Sequence, residues 1–352
     1  MKTEFLRITG RPEEDDEVIR RAAEVIRRGG LAAIPTETVY GLAGSALLPD
    51  SAAKIYAAKG RPADNPLIVH VAYPEETERI AFTNPVYFRL AERFMPGPLT
   101  VILKKRDCIP DTVTAGGDTV AVRCPSHPTA HRLIEVSGHP IAAPSANRSG
   151  SPSPTTAEHV RQDLDGLIDL IVDGGPCSIG LESTVIRLDG EDACTVLRPG
   201  AVTPAMLGEI VPNVRVAGAV VQPALADGVR PESPGMKYKH YAPRAELILI
   251  DAPREWFADY VRRNLSADAG VMVPDELADS FPGAVLLSTG PDGDAEEWSR
   301  RLFSLLRRAD EAGLKRIYAE LPPPEGDTLA LYNRIIRAAG CRVLTPDGFK
   351  SL

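Results

Sequence analysis

Short apolar runs that stop at proline or glycine, separated by stretches of helical periodicity, limit what this chain can become. The run Leu31-Ala32-Ala33-Ile34 ends at Pro35, as a strand entering a turn does. Thr36, Glu37 and Thr38 then place polar side chains at the strand end, and Gly41 and Gly44 permit close backbone approach or positive φ. From Ser51 a helical pattern carries Ile55, Tyr56 and Ala58 to Lys59-Gly60-Arg61-Pro62, where glycine and proline end it. Asn65-Pro66 and a second apolar run, Leu67-Ile68-Val69-His70-Val71, follow. Taken singly these pieces are ordinary: a lysine at a helix C-terminus favours the dipole, and a strand histidine is commonly just half-buried. Their order, with hydroxyls at a strand end, two cations at a helix exit and a histidine on the next strand, predicts a site for a small anionic or zwitterionic ligand.

The same grammar runs through the first 212 residues. Residues 13–28 read as an amphipathic helix with an acidic first turn, a basic last turn and Val18, Ala22, Val25 and Ile26 on one face. Residues 87–94 read as a helix and 99–103 as a strand, with Lys104-Lys105-Arg106 expected in a solvated turn beyond it. Residues 119–123 read as a strand that delivers Arg123 to its end, where it can grip a carboxylate or form a salt bridge to a neighbouring helix. A strand from Ile141 breaks at Pro144-Ser145-Ala146-Asn147, and residues 148–155 form a hydroxyl-rich loop that either wraps phosphate or is ordinary surface. Strands follow at 167–172, 183–188 and 195–198, and a helix at 203–210. The expected fold is α/β, built on a twisted mixed sheet. His127 and His131 lie four apart but lack the HExxH glutamate, so they read as helix-start and surface residues, and no metal ligands are assigned. No GxxxxGK[ST] occurs, and no GxGxxG after a strand, which disfavours P-loop and dinucleotide readings.

A chain of 352 residues exceeds one comfortable core. The expected boundaries are a domain over 1–212, a linker over 213–246 and a smaller domain over 247–352. The linker is rich in proline and glycine. Its stretch Met236 to Tyr241 is too aromatic and basic for idle exposure, which suggests a lid over the catalytic face. Beyond it, strands near 247–250, 270–273, 284–287, 316–319 and 342–344 alternate with helices near 254–265, 294–312 and 328–339. That is a Rossmann-like pattern without the phosphate-binding glycines, expected to bind or position rather than catalyse. The net charge of −8 argues against a general nucleic-acid surface, while residues 213–246 hold five Lys/Arg against three Asp/Glu and so face a local anion. With 43% hydrophobic residues, no apolar run near the ~20 residues that span a bilayer, and an N-terminus too polar for a signal peptide, a soluble protein is expected. Five scattered cysteines without a CxxC pair fit a reducing cytoplasm.

PTETVYGL from Pro35, then Lys59-Gly60-Arg61-Pro62 with Asn65 and His70, resembles the YrdC/Sua5 family of threonylcarbamoyl-adenylate synthases. Ala121-Val122-Arg123-Cys124-Pro125, Pro144-Ser145-Ala146-Asn147, Glu182-Ser183-Thr184-Val185 and Leu197-Arg198-Pro199-Gly200 extend the likeness. Residues 233–243 are similar to the linker of the two-domain Sua5 type. The resemblance implies a YrdC-like sheet with a concave, cation-lined face, followed by the linker and a Sua5 C-terminal domain. It implies a nucleotidyltransferase that makes threonylcarbamoyl-AMP and pyrophosphate from L-threonine, bicarbonate or CO2, and ATP with Mg2+. The product would pass to a tRNA threonylcarbamoyl-transferase complex that modifies the adenosine next to the anticodon in tRNAs reading ANN codons. Whether tRNA binds this chain directly stays open. Lys59, Arg61, Ser145 and Asn147 form the implied catalytic set. Thr36, Thr38, His70, Arg123, Ala143 and Ser183 would take threonine; Asn65, Thr119, Ser153, Arg198 and Tyr241, with Lys59, Arg61 and Ser145, would take ATP. The alternatives are a non-catalytic RNA-binding module and a carbamoyl-adenylate-forming protein.

Overall fold

A computed structural model describes residues 2–221 and 241–351. They fall into two compact units, the first holding 2–149 and 153–220 and the second 150–152, 221 and 241–351. The part of the expected linker and lid that spans 222–240 lies outside the described residues.

In chain order the first unit contains β1 (Glu4–Arg7), α1 (Pro12–Arg27), β2 (Ala32–Ile34), β3 (Gly41–Ser45), α2 (Pro49–Lys59), β4 (Ile68–His70) and β5 (Ala81–Phe82). Next come α3 (Pro85–Phe94), β6 (Leu99–Lys105), α4 (Asp111–Thr114), β7 (Thr119–Arg123), α5 (Pro128–Ser137) and β8 (Ile141–Ala142). The unit continues with α6 (Ala157–Leu164), β9 (Leu170–Asp173), β10 (Thr184–Leu188), β11 (Ala193–Arg198), α7 (Pro204–Gly208), β12 (Asn213–Val216) and α8 (Gly218–Val221). One mixed sheet runs β1-β9-β2-β3-β8-β4-β7-β6-β10-β11-β12, with β5 beside β6. On α1 the acidic first turn and the buried stripe Val18, Ile19, Ala22, Ala23 and Ile26 set orientation and buried face together.

Three local expectations change. Gly41–Ser45 is a strand, paired antiparallel with β2 and β8, although its two glycines gave no strand signal. Lys104 and Lys105 belong to β6 rather than to a turn, because β7 and β5 pair with that end of the strand. Residues 213–216, expected in the linker, add a parallel edge strand to β11. Of those four only Val214 is half-buried, so the pairing is made by backbone and left little hydrophobic trace.

The second unit contains β13 (Glu246–Ile250), α9 (Arg254–Asn264), β14 (Ala269–Val273), β15 (Val285–Ser288), α10 (Ala295–Glu311), β16 (Arg316–Glu320), α11 (Leu329–Ala338), β17 (Arg342–Thr345) and β18 (Gly348–Ser351). The order is β15-β14-β16-β13-β17-β18, parallel except for β18, which is antiparallel to β17. Phe257 and Val261 of α9 share a core with Ile248, Ile250, Val271 and Val273, which is why the central strands read as continuous apolar runs. The polar, exposed β18 was not foreseen. No helix among the described residues is long and apolar enough to cross a membrane.

Candidate active site

The hairpin between β2 and β3 carries Thr36, Glu37 and Thr38, and the first residue of β3, Gly41, bridges to Ser145. Two clusters in the first unit meet on this hairpin.

The first cluster grows from the end of α2. Gly60 takes φ +61°, its N–H bonds to the Ala57 carbonyl, and the Arg61 N–H bonds to that of Tyr56. Lys59 therefore closes the helix and Arg61 starts the loop. The Lys59 ammonium is buried and donates to the carbonyls of Ser145 at 2.5 Å and Asn147 at 2.7 Å, with Asn147 Oδ1 at 3.4 Å. The Ser149 N–H returns a bond to the Lys59 carbonyl at 2.8 Å. Thus the main chain of the 145–149 turn, more than its side chains, receives the lysine. Burial first, and the Arg61 charge second, push the Lys59 pKa down to about 7. Lys59 has carbonyl partners but no ion pair among the described residues. Arg61 Nη2 donates to the Asn65 carbonyl at 2.6 Å, as does the Tyr56 hydroxyl at 2.9 Å. Asn65 is 0% exposed, and both atoms of its side-chain amide lack a partner among the described residues. Ala143 packs on the hairpin, its Cβ 3.3 Å from where a Cβ on Gly41 would stand.

The second cluster forms where β4 and β7 run parallel and place His70 opposite Arg123. Arg123 Nη2 lies 2.7 Å from Glu37 Oε1, with both residues buried, and Arg123 Nε donates to the Gly97 carbonyl at 3.3 Å. The salt bridge read for this arginine is present, made to the hairpin instead of to a helix. Burial pushes the Glu37 carboxyl up, but the charge and hydrogen bond of Arg123, together with backbone hydrogen bonds, hold the group below its ordinary value. Burial first, then Arg123, press the His70 pKa down to about 3, so its imidazole is neutral; its Nδ1 is buried without a partner among the described residues. Thr36 Oγ1 donates to the Val39 carbonyl at 2.6 Å and lies 2.9 Å from Thr38 Oγ1.

A third group lies at the start of β10. Arg198 donates from Nη2 to Ser183 Oγ and from Nε to the Ser183 carbonyl, both at 3.0 Å, and Ser183 Oγ lies 2.8 Å from Thr100 Oγ1. Gly200 permits this close return, since a Cβ there would stand 2.4 Å from Thr184 N. Ser153 donates to Glu182 Oε1 at 2.5 Å.

Two further expected residues are Thr119 and Tyr241. Thr119 is exposed at the start of β7, about 13 Å along the strand from Arg123. Tyr241 belongs to the second unit, with φ +64°, its ring 5.2 Å from that of Phe303 and beneath the Arg334 guanidinium. Sequence reasoning missed Glu37 and Glu182 as site residues. The available signal was an acidic residue inside an otherwise uncharged motif next to a strand. Among the described residues no group of three or more His, Cys, Asp or Glu could hold a metal ion.

Comparison with known proteins adds a second line of observation. Residues 24–200 match the Sua5/YciO/YrdC family model, described as telomere recombination, and residues 202–340 match a model described as the threonylcarbamoyl-AMP synthase C-terminal domain. The chain is 44% identical over 335 residues to the threonylcarbamoyl-AMP synthase of Pyrococcus abyssi, covering 93% of this chain and 95% of that one. It is 43% identical over 351 residues to the Bacillus subtilis protein of the same name, covering 98% and 100%. The crystal structure of P. abyssi Sua5 complexed with L-threonine matches with a TM-score of 0.87 and 41% identity, covering 98% of this chain and 99% of that one.

Proposed function

The chain belongs to the Sua5/YciO/YrdC family, and on that premise we propose that it is an L-threonine- and ATP-dependent nucleotidyltransferase. The reaction joins the threonine amine to CO2 or bicarbonate-derived CO2 as a carbamate and releases a proton. A carbamate oxygen then attacks the α-phosphorus of ATP, the bond to the β-phosphate breaks, and threonylcarbamoyl-AMP and pyrophosphate form.

The observation that carries this reading is the buried Lys59 ammonium beside Arg61, without an ion pair among the described residues, together with the Asn65 amide, unmet among the same residues. A buried cation without an anionic partner is costly, and a phosphate supplies the missing charge. ATP would exchange the long Asn147 Oδ1 contact of Lys59 for a phosphate oxygen. Both cations would then spread the charge that builds as the bridging oxygen leaves. At the other end of the hairpin, the Glu37 pair orients Arg123 for the threonine carboxylate. The neutral His70 and the Thr36 and Thr38 hydroxyls offer partners to the substrate hydroxyl and amine. Ser183, held by Arg198, lines the same approach.

Mg2+ accompanies ATP in this proposal. A small cation that keeps most of its water and needs one or two carboxylates fits the Glu182–Ser153 pair, whose negative charge reaches Lys59. When bound it neutralises phosphate charge. The product would be handed to the machinery that transfers threonylcarbamoyl to tRNA.

Pyrophosphate release measured with ATP, bicarbonate and each of the common amino acids tests the reading. Strict dependence on threonine supports it. Release without threonine, or RNA binding without any turnover, overturns it.

A further inference from the structure

We infer that the second unit carries a ligand site of its own, a cavity at the carboxyl ends of its parallel strands shaped for a small organic cation. The cavity measures 310 Å³ and is lined wholly by residues of that unit. Its floor is the ends of β13, β14, β15 and β16, at Ile250, Pro274, Thr289 and Glu320. The chain leaves β13 to pass by way of α9 to β14, and leaves the adjacent β16 to pass by way of α11 to β17 on the other side of β13. Connections that diverge from neighbouring parallel strands open a crevice there, where open α/β sheets bind their ligands. The volume lies at the lower end of small-molecule pockets.

Two lining groups point to an occupant. Thr289 is 3% exposed, yet its hydroxyl makes no hydrogen bond among the described residues. The Trp298 indole N–H is shielded from solvent and has no acceptor among the described residues. Buried polar groups are normally paired, so the indole N–H, with the Thr289 hydroxyl open to the same cavity, calls for a ligand that carries an acceptor.

Charge selects the class. Among the described residues, Asp251, Asp292, Asp294 and Glu320 line the cavity against a single cation, Arg254. That guanidinium is already committed, bonded to both oxygens of Asp292 at 2.6 and 3.0 Å and to both of Glu320 at 3.1 and 3.2 Å. The N-terminus of α10, which would otherwise attract an anion, is met by Asp294, whose side chain accepts from the Glu297 N–H. Asp251 keeps its carboxylate free of any hydrogen bond or ion pair among the described residues. A phosphate entering here would meet net negative charge and no available donor cation. An ammonium or guanidinium would meet Asp251, with its acceptor turned to Thr289 and Trp298.

Isothermal titration of the full chain with L-arginine and L-lysine, each a cation that carries an acceptor, and with inorganic phosphate as the opposing probe, tests this without turnover, so it fails or stands apart from the proposed activity. At least one cation should bind saturably at one site. Affinity should fall at least fivefold in Thr289→Val and Trp298→Phe, and at least tenfold in Asp251→Asn. Unchanged thermal midpoints and threonine-dependent pyrophosphate release in these variants would confirm that the fold is intact. The inference is overturned if neither cation binds, if binding survives Asp251→Asn and Thr289→Val unchanged, or if phosphate competes for the site.

Discussion

Lys59 sits where solvent cannot answer its charge, and among the described residues it is held by oxygens of Ser145 and Asn147 and not by an ion pair. Removing it should leave the fold intact and abolish the anion site. Lys59→Ala is expected to lower kcat by about 10²–10³-fold, with an unchanged circular dichroism spectrum; a near-normal rate would refute the role. The lysine also sets a pH dependence. Its pKa of about 7 lies below the usual ~10.4, so the free enzyme loses this proton as pH rises through about 7. The kcat/KM of pyrophosphate release should therefore decline above that pH, and Lys59→Arg should move the decline upward. Stability carries the opposite sign. Between about 7 and 10.4 the unfolded chain binds more protons, so this group's contribution to stability increases with pH. Glu37 makes a different demand. Removing it leaves Arg123 charged and buried alone, and Glu37→Ala should cost about 3–5 kcal/mol in urea denaturation. Glu37→Ala should also raise KM for threonine more than KM for ATP.

At the scale of elements, two glycines separate conformational from steric control. A Cβ on Gly60 meets nothing within 4 Å, so Gly60→Ala suffers only from its positive φ, about 1 kcal/mol. Since Lys59 and Arg61 flank that residue, kcat should fall more than stability does. A Cβ on Gly200 would meet backbone at 2.4 and 2.8 Å, which cannot give way cheaply. Gly200→Ala should therefore destabilise by more than about 3 kcal/mol, and denaturant midpoints of the two variants would show the contrast. The end of α2 was readable because helix termination is written in adjacent residues, Lys59-Gly60-Arg61-Pro62. The strand state of Gly41–Ser45 was not, because it comes from pairing with β2 and β8 against a poor local propensity.

Over the whole molecule there are separate cores in the two units. Phe257 is 0% exposed in the second core, and Phe257→Ala should cost about 3–5 kcal/mol. Calorimetry should show the transition of that unit lowered and the transition of the first unit unmoved. The sequence by itself determined the alternation of elements, the residues at their ends and the ordered motifs that mark the family, because these depend on local backbone preference and burial period. Tertiary structure alone decided what those residues meet. Lys59 finds Ser145 across 86 positions of chain through the order of strands in the sheet. Glu37 finds Arg123 because the hairpin and β7 converge, and the Asn65 amide is left unmet among the described residues. Such partners are set by long-range backbone pairing, which no short window of residues encodes.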